Sequence, residues 1–256
     1  MRKLVNLQAI IRDIADRKRR AAKRRSAPPG ANAEAPRAVY QAGCAAIAAA
    51  FAPLGFRYAS SGPHFTRKVG ELLHGIYFSS SHNNVAGEYV AVWIYANVRS
   101  PHVARWRAQF RPGTSNPFVA GGQIGNLAPQ AAWLEWDLAD PDTRPGEVAG
   151  AIATIRQLAL PFFEVYASPA ATKEGLYKRD LPGLHALGAI EFALAFEDRP
   201  LAQRLLARSI KGQPDRLKEY EDALAEFRRS GLPPYWSAGS PQDLAKATLL
   251  YGLEPV

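Results

Sequence analysis

A chain of 256 residues, 47% of them hydrophobic, can bury a sizeable core, which excludes wholesale disorder and suits one large domain or one domain with an appendage. Its single cysteine, Cys44, excludes an intrachain disulfide framework and a multi-cysteine zinc site, and favours a reducing compartment. The net charge of +9 is concentrated: residues 1–25 hold ten Lys/Arg against Asp13 and Asp16, a balance of +8, and the other 22 basic and 21 acidic residues leave +1.

Any attraction to a polyanion therefore belongs to the tail, where Arg17, Lys18, Arg19, Arg20, Lys23, Arg24 and Arg25 are the candidate nucleic-acid contacts. Ahead of that run Leu4, Leu7, Ile11 and Ile14 recur at helical spacing, so the tail is expected to open as an amphipathic helix. Asn6, Gln8 and Arg12 interrupt the apolar stretch that a signal peptide needs, and a cytoplasmic location is expected. The longest apolar run, Ala42 to Ala52, is too short and too weakly apolar to cross a bilayer, and no transmembrane segment is expected.

Residues 26–36, SAPPGANAEAP, have the composition of a flexible linker and set the first boundary. A helix is expected over 37–53, stopped by Pro53 and turned by Gly55. Strands are expected over Phe56–Ala59, His64–Lys68, Leu72–Ser80 and Glu88–Val98, separated by turn-forming sequences that suit an antiparallel meander. In the last of these Val90, Val92, Ile94 and Val98 share one face, and Tyr89, Trp93, Tyr95 and Asn97 share the other, with both faces at least partly covered. A short helix over His102–Phe110, a strand over Trp133–Leu138 and a long helix from about Pro145 follow, the last with the stripe Val148, Ile152, Ile155, Ala159 and Phe162. Beyond Ala167 the pattern is helical only. The fold class is α+β: an antiparallel sheet packed against helices over 37–167, a helical subdomain over 168–256, and a basic N-terminal segment with its linker over 1–36.

Several short motifs occur in one order within the α+β part. They are Gly55-Phe56 after the helix, the pair Phe65 and Arg67, the strand Val90–Val98, Gln123-Ile124-Gly125-Asn126-Leu127, Trp133-Leu134-Glu135-Trp136, and Leu160-Pro161-Phe162-Phe163-Glu164. Together they resemble the domain of unknown function 4304 family over about residues 37–167. The resemblance implies a bacterial α+β domain with no established activity, and it carries no catalytic residue across.

No phosphate loop, zinc helix or nucleophile elbow is present in the sequence. His64, His74, His82 and His102 lie near one another along the chain with Glu71 and Glu88 among them, and His82, His74 and Glu88 are the catalytic candidates of an enzyme reading; no metal and no cofactor is expected, because no spacing fixes two ligands on one face. Gly121-Gly122-Gln123-Ile124-Gly125 reads as a loop that must turn tightly, ahead of an anion-binding loop. Arg105, Trp106 and Arg107 form a second, basic and aromatic, nucleic-acid candidate. Glu191 interrupts an apolar helix and is either a buried carboxylate or an arginine's partner. The leading expectation is a non-enzymatic binding or interaction module of an immunity-like or regulatory kind, with a protein partner. The alternatives are a nucleic-acid-associated protein anchored by its tail and an enzyme built on the histidine-rich strands. Limited proteolysis is expected to cut between Ser26 and Pro36 and to leave a stable core; full protection of that stretch would contradict the boundary.

Overall fold

The computed structural model describes residues 34–111, 115–128, 130–236 and 239–256. The expected amphipathic helix, the basic run Arg17–Arg25 and most of the expected linker lie outside the described residues. The architecture is α+β, with a six-stranded antiparallel sheet in the order β1-β2-β3-β4-β5 and a short β6 pairing β4. The strands are β1 (Arg57–Ala59), β2 (His64–Val69), β3 (Leu72–Ser79), β4 (Ala91–Arg99), β5 (Phe118–Gln123) and β6 (Trp136–Asp137). By compactness the chain forms two units.

The first unit comprises the described residues up to Lys68, His74–Asn97 and Gly121–Glu164. Its helix α1 (Pro36–Ala49) opens on a proline, whose missing N–H costs nothing in a first turn, and buries Val39, Gly43, Cys44, Ile47 and Ala48. A 3-10 turn (Ala52–Leu54) follows, closed by Gly55 at φ 81°, where a side chain would be strained. That reversal sends Phe56 into an aromatic core. Phe51 stacks on Phe65 at 5.2 Å, Phe56 meets Phe65 edge-on at 5.4 Å, and Phe163 lies 6.2 Å from Phe56. Each buried ring contributes on the order of 1.5–3 kcal/mol.

β4 starts at Ala91, three residues later than expected. The Val90 N–H is taken by the Asp137 carboxylate at 2.9 Å and the Ala91 N–H by Asn84 Oδ1 at 3.0 Å, so the segment before them is a turn. The strand expected over Trp133–Leu138 is reduced to Trp136–Asp137. Gln123 Nε2 donates to the Leu134 carbonyl at 2.6 Å, and a side chain thereby replaces a ladder bond. Side chains nevertheless alternate, with Leu134 and Trp136 buried and Trp133 exposed.

Helix α3 (Arg144–Val165) contains a π segment, Ile155–Ala159, in which the Leu160 N–H reaches back to the Ile155 carbonyl. The widened turn comes just before Pro161, which has no N–H of its own to give. Its first turns bury Glu147, Ala151 and Thr154, one position away from the expected Val148 and Ile152, which are half-buried. Gly150 lies beside β6, where a Cβ would make an ordinary 3.6 Å contact with the Trp136 indole. Among the described residues α3 is the helix long and apolar enough to cross a membrane by length and composition. It turns Ala151, Ile155, Ala159, Phe162 and Phe163 into the core and carries Arg144, Glu147, Arg156 and Glu164, so it is a core helix rather than a clear transmembrane segment.

The second unit comprises Val69–Leu73, Val98–Ala120 and Val165–Val256. Its passage into the C-terminal helices falls close to the expected boundary after residue 167. The difference is that Val98–Ala120, with helix α2 (Pro101–Phe110), joins those helices instead of the sheet domain. The others are α4 (Pro169–Lys178), α5 (Ala186–Ala195), α6 (Arg199–Ile210), α7 (Pro214–Ser230) and α8 (Pro241–Leu250). α5 is apolar around its circumference and buried on most sides. Ser100, Ser168, Asp198 and Ser240 each cap a helix by accepting a bond from a backbone N–H of its first turn.

Burial pushes the Cys44 thiol up to about 12, raises the hydroxyls of Tyr40 and Tyr166 well above their ordinary range, and raises that of Tyr58. Groups held neutral in the native state stabilise it fully below their unfolded values and lose that contribution as pH rises through the native ones. The thermal midpoint is expected to fall as pH climbs from about 9 toward 12, with phenolate absorbance appearing together with loss of helical signal. Cys44 is expected to resist a thiol reagent at neutral pH until denaturant is added; rapid reaction of the native protein would contradict its burial.

Candidate functional site

The histidines do not converge. His64 stacks on Tyr77 at 5.2 Å, whereas Phe65 meets Phe78 at 5.8 Å, so odd and even positions of β3 look to opposite faces. His74, 2% exposed, lies on the packed face with Phe78, stacked on Phe163 at 4.7 Å and 3.5 Å from Arg67. His64 and His74 therefore stand on opposite sides of the sheet. His82 is exposed in the turn after β3 and Glu88 is half-buried in the turn before β4. Within the second unit His102 stacks on Phe196 at 4.8 Å and shares a 2.6 Å hydrogen bond with the Ala195 carbonyl, with Glu71 at 4.0 Å. Among the described residues no three His, Cys, Asp or Glu side chains gather as metal ligands would.

The glycine-rich stretch is a packing device. Gly121, at φ 144°, and Gly125 sit where a Cβ would collide with the backbone carbonyls of Ala96 and Ala132. The Gly125 N–H is bonded to Gln123 Oε1 at 2.7 Å rather than directed at an anion. Asp137 and Asp140 serve turns: Asp137 accepts from the Val90 and Ala139 N–H groups, and Asp140 accepts from the Asp142 N–H.

Arg107 is not the nucleic-acid contact that its neighbourhood in the sequence suggested. It is 7% exposed, with Nε donating to Glu191 Oε2 at 2.7 Å and Nη1 to the carbonyls of Asn116 and Phe118 at 2.9 and 2.6 Å. Glu191 is thus the arginine-paired carboxylate: Arg111 donates to its other oxygen, and the Tyr251 hydroxyl lies 2.8 Å from that same oxygen. The Arg111 guanidinium lies 3.5 Å from the Trp236 ring centroid, and Lys246 Nζ lies 4.4 Å from it while holding the Pro233 and Tyr235 carbonyls. Burial, then the Arg111 charge, lower the Lys246 ammonium below its ordinary value. Trp106 packs on Tyr251 and Phe110, leaving Arg105 as the member of that candidate trio on the exposed side of α2. Every charge in this cluster is committed to holding helices and loops.

The surface with uncommitted chemistry is the outward face of the sheet in the first unit. Trp93 and Tyr95 alternate with the buried Val92, Ile94 and Ala96 and are half-buried on that face. Trp133, 47% exposed, meets Trp93 edge-on at 5.7 Å and Tyr95 at 6.3 Å. Glu135 accepts from the Trp93 indole N–H at 2.7 Å, which fixes that ring. Tyr77 belongs to the same face: a Cβ on Gly75 would come within 2.6 Å of its ring, so the glycine lets the ring lie back along the strand. Ser80 Oγ bonds the Ala91 carbonyl at 2.7 Å and sets the end of β3 beside the start of β4, next to Trp93. The alternation of Trp93, Tyr95 and Asn97 was visible in the sequence. Trp133 was legible only as a strand residue.

Glu191→Gln is expected to cost about 3 kcal/mol in denaturant unfolding, because it leaves the buried Arg107 and the half-buried Arg111 without their carboxylate. Arg105→Gln, on the exposed side of α2, is expected to change stability by less than about 0.5 kcal/mol. Equal effects would contradict the cluster as described. Comparison of the chain with protein-family models, with curated proteins and with solved structures finds no match.

Proposed function

We propose that this chain is a non-enzymatic binding module, regulatory or immunity-like in kind, whose contact surface is the outward aromatic face of the sheet. The observation that carries the reading is the grouping of Trp93, Tyr95 and Trp133 on that face, with Trp133 nearly half exposed. Large, rigid aromatic side chains give much contact area for little lost side-chain freedom, which is why they concentrate at recognition surfaces. Kinship with the domain of unknown function 4304 family rests on the ordered motifs alone; those placed here, such as Gly55 and Phe163, serve packing. The enzyme reading draws no support from histidines that stand on opposite faces.

A second reading, association with nucleic acid through the tail, is favoured by the +8 carried by residues 1–25.

The test is parallel affinity capture of the tagged full chain and of a Tyr95→Ala/Trp133→Ala variant whose melting temperature matches the wild type. The variant is expected to lose one or more specific co-purifying species, protein or nucleic acid. Identical capture profiles would overturn this face as the contact surface.

A further inference from the structure

We infer that the ligand of the aromatic face is a single-stranded nucleic acid, its bases stacked on the rings and its phosphates drawn by flanking cations; the inference rests on the binding reading just given. The first observation is the layout of the rings. Trp93 and Tyr95 on β4 meet Trp133 from another segment, and Tyr77 on β3, stacked on His64, lies on the same face. Alternate residues on one strand lie about 7 Å apart, and Trp133 stands at 73° and 79° to Trp93 and Tyr95, so the cluster is a platform of crossed rings against which unstacked bases can lie. Such platforms take about two or three bases, without strong sequence preference, because every base has a π face.

The second observation is charge. In the β1–β2 pair Arg57 stands opposite Thr66, and Thr66 shares the outward side with His64 and Lys68. Arg57 and Lys68 are therefore on the aromatic face, both are exposed, and neither has a carboxylate partner among the described residues. The carboxylate beside the rings, Glu135, is occupied by the Trp93 indole. The outward positions around the rings otherwise carry Thr66, Ser79 and Asn97, which suit the polar edges of bases better than an aliphatic protein interface.

A duplex would not fit this chemistry, since its bases are already stacked and the rings would meet only its sugar-phosphate exterior. The ligand is thus distinguished from what the tail alone would bind, which is any polyanion.

The experiment uses the full chain and dye-labelled oligonucleotides of about 12 residues, a pyrimidine single strand and a duplex, read by fluorescence anisotropy at low and moderate salt. The wild type is expected to prefer the single strand. Trp133→Ala and Tyr95→Ala are each expected to weaken single-strand binding about tenfold and to leave duplex binding unchanged, whereas Tyr95→Phe, which keeps the ring, retains wild-type affinity. Replacing the seven Lys/Arg of Arg17–Arg25 by Gln is expected to weaken both ligands and to flatten the salt dependence.

Single-strand binding that is indifferent to Trp133→Ala and Tyr95→Ala overturns the inference in favour of the tail alone. No oligonucleotide binding by the wild type overturns it too. If the capture experiment then still shows a protein lost from the Tyr95→Ala/Trp133→Ala variant, the face remains a binding surface and only the nucleic-acid assignment falls.

Discussion

The second unit is organised around one carboxylate. Glu191 lies in the interior on a helix that is otherwise apolar, and its two oxygens are divided between Arg107 and Arg111, with the Tyr251 hydroxyl on the second. Desolvating three charges is costly, and a buried ion pair is a poor way to add stability. Its effect is to limit the alternatives: α2 and α5 can slide or rotate against each other only by leaving a charge in the core unpaired. Arg107 extends the constraint to the backbone by holding the Asn116 and Phe118 carbonyls, which sets where the chain enters β5. Arg111 extends it to Trp236, and Lys246 holds the same proline-containing loop by two carbonyls.

The first unit solves its packing with rings. Phe51, Phe56, Phe65 and Phe163 interlock on one side of the sheet, and His74 joins them as a flat ring against Phe163 rather than as a base or a ligand. On the other side the same residue type is placed for a different end. Trp133 meets Trp93 and Tyr95 edge to face, at 73° and 79°, the arrangement that ring quadrupoles favour. A one-residue slip of β4 would turn Trp93 and Tyr95 into the core and Val92, Ile94 and Ala96 out of it.

How much of this could be read in advance depended on the range of the interactions involved. The helix stop at Pro53 and Gly55 and the alternation of β4 are local, and they were legible because backbone sterics and side-chain alternation act over a few residues. The length of β6 was not, since it depends on Gln123 substituting its amide for a ladder bond to Leu134. Nor was the buried face of α3, which takes in Glu147, Ala151 and Thr154 and leaves the more apolar Val148 and Ile152 half-buried. Arg107 resembled a solvated cation beside an aromatic because nothing in its neighbourhood announces Glu191. The aromatic face was half legible: the sequence separates the rings of β4 from its aliphatic side chains, but says nothing of Trp133 closing on them from another segment.

The separation of Arg107 from Glu191 also has a meaning in time. The two residues are 84 positions apart, and at ribosomal rates of 5–20 residues per second the carboxylate emerges roughly 4–17 s after the guanidinium that needs it. Throughout that interval burying α2 would strand a cation in the core, so the Val98–Ala120 excursion has every reason to stay hydrated while the chain up to Glu164 is made and can complete the first unit. A segment made early, Val98–Ala120, thus waits on a residue of a helix not yet translated before its guanidinium can be buried as one half of a pair.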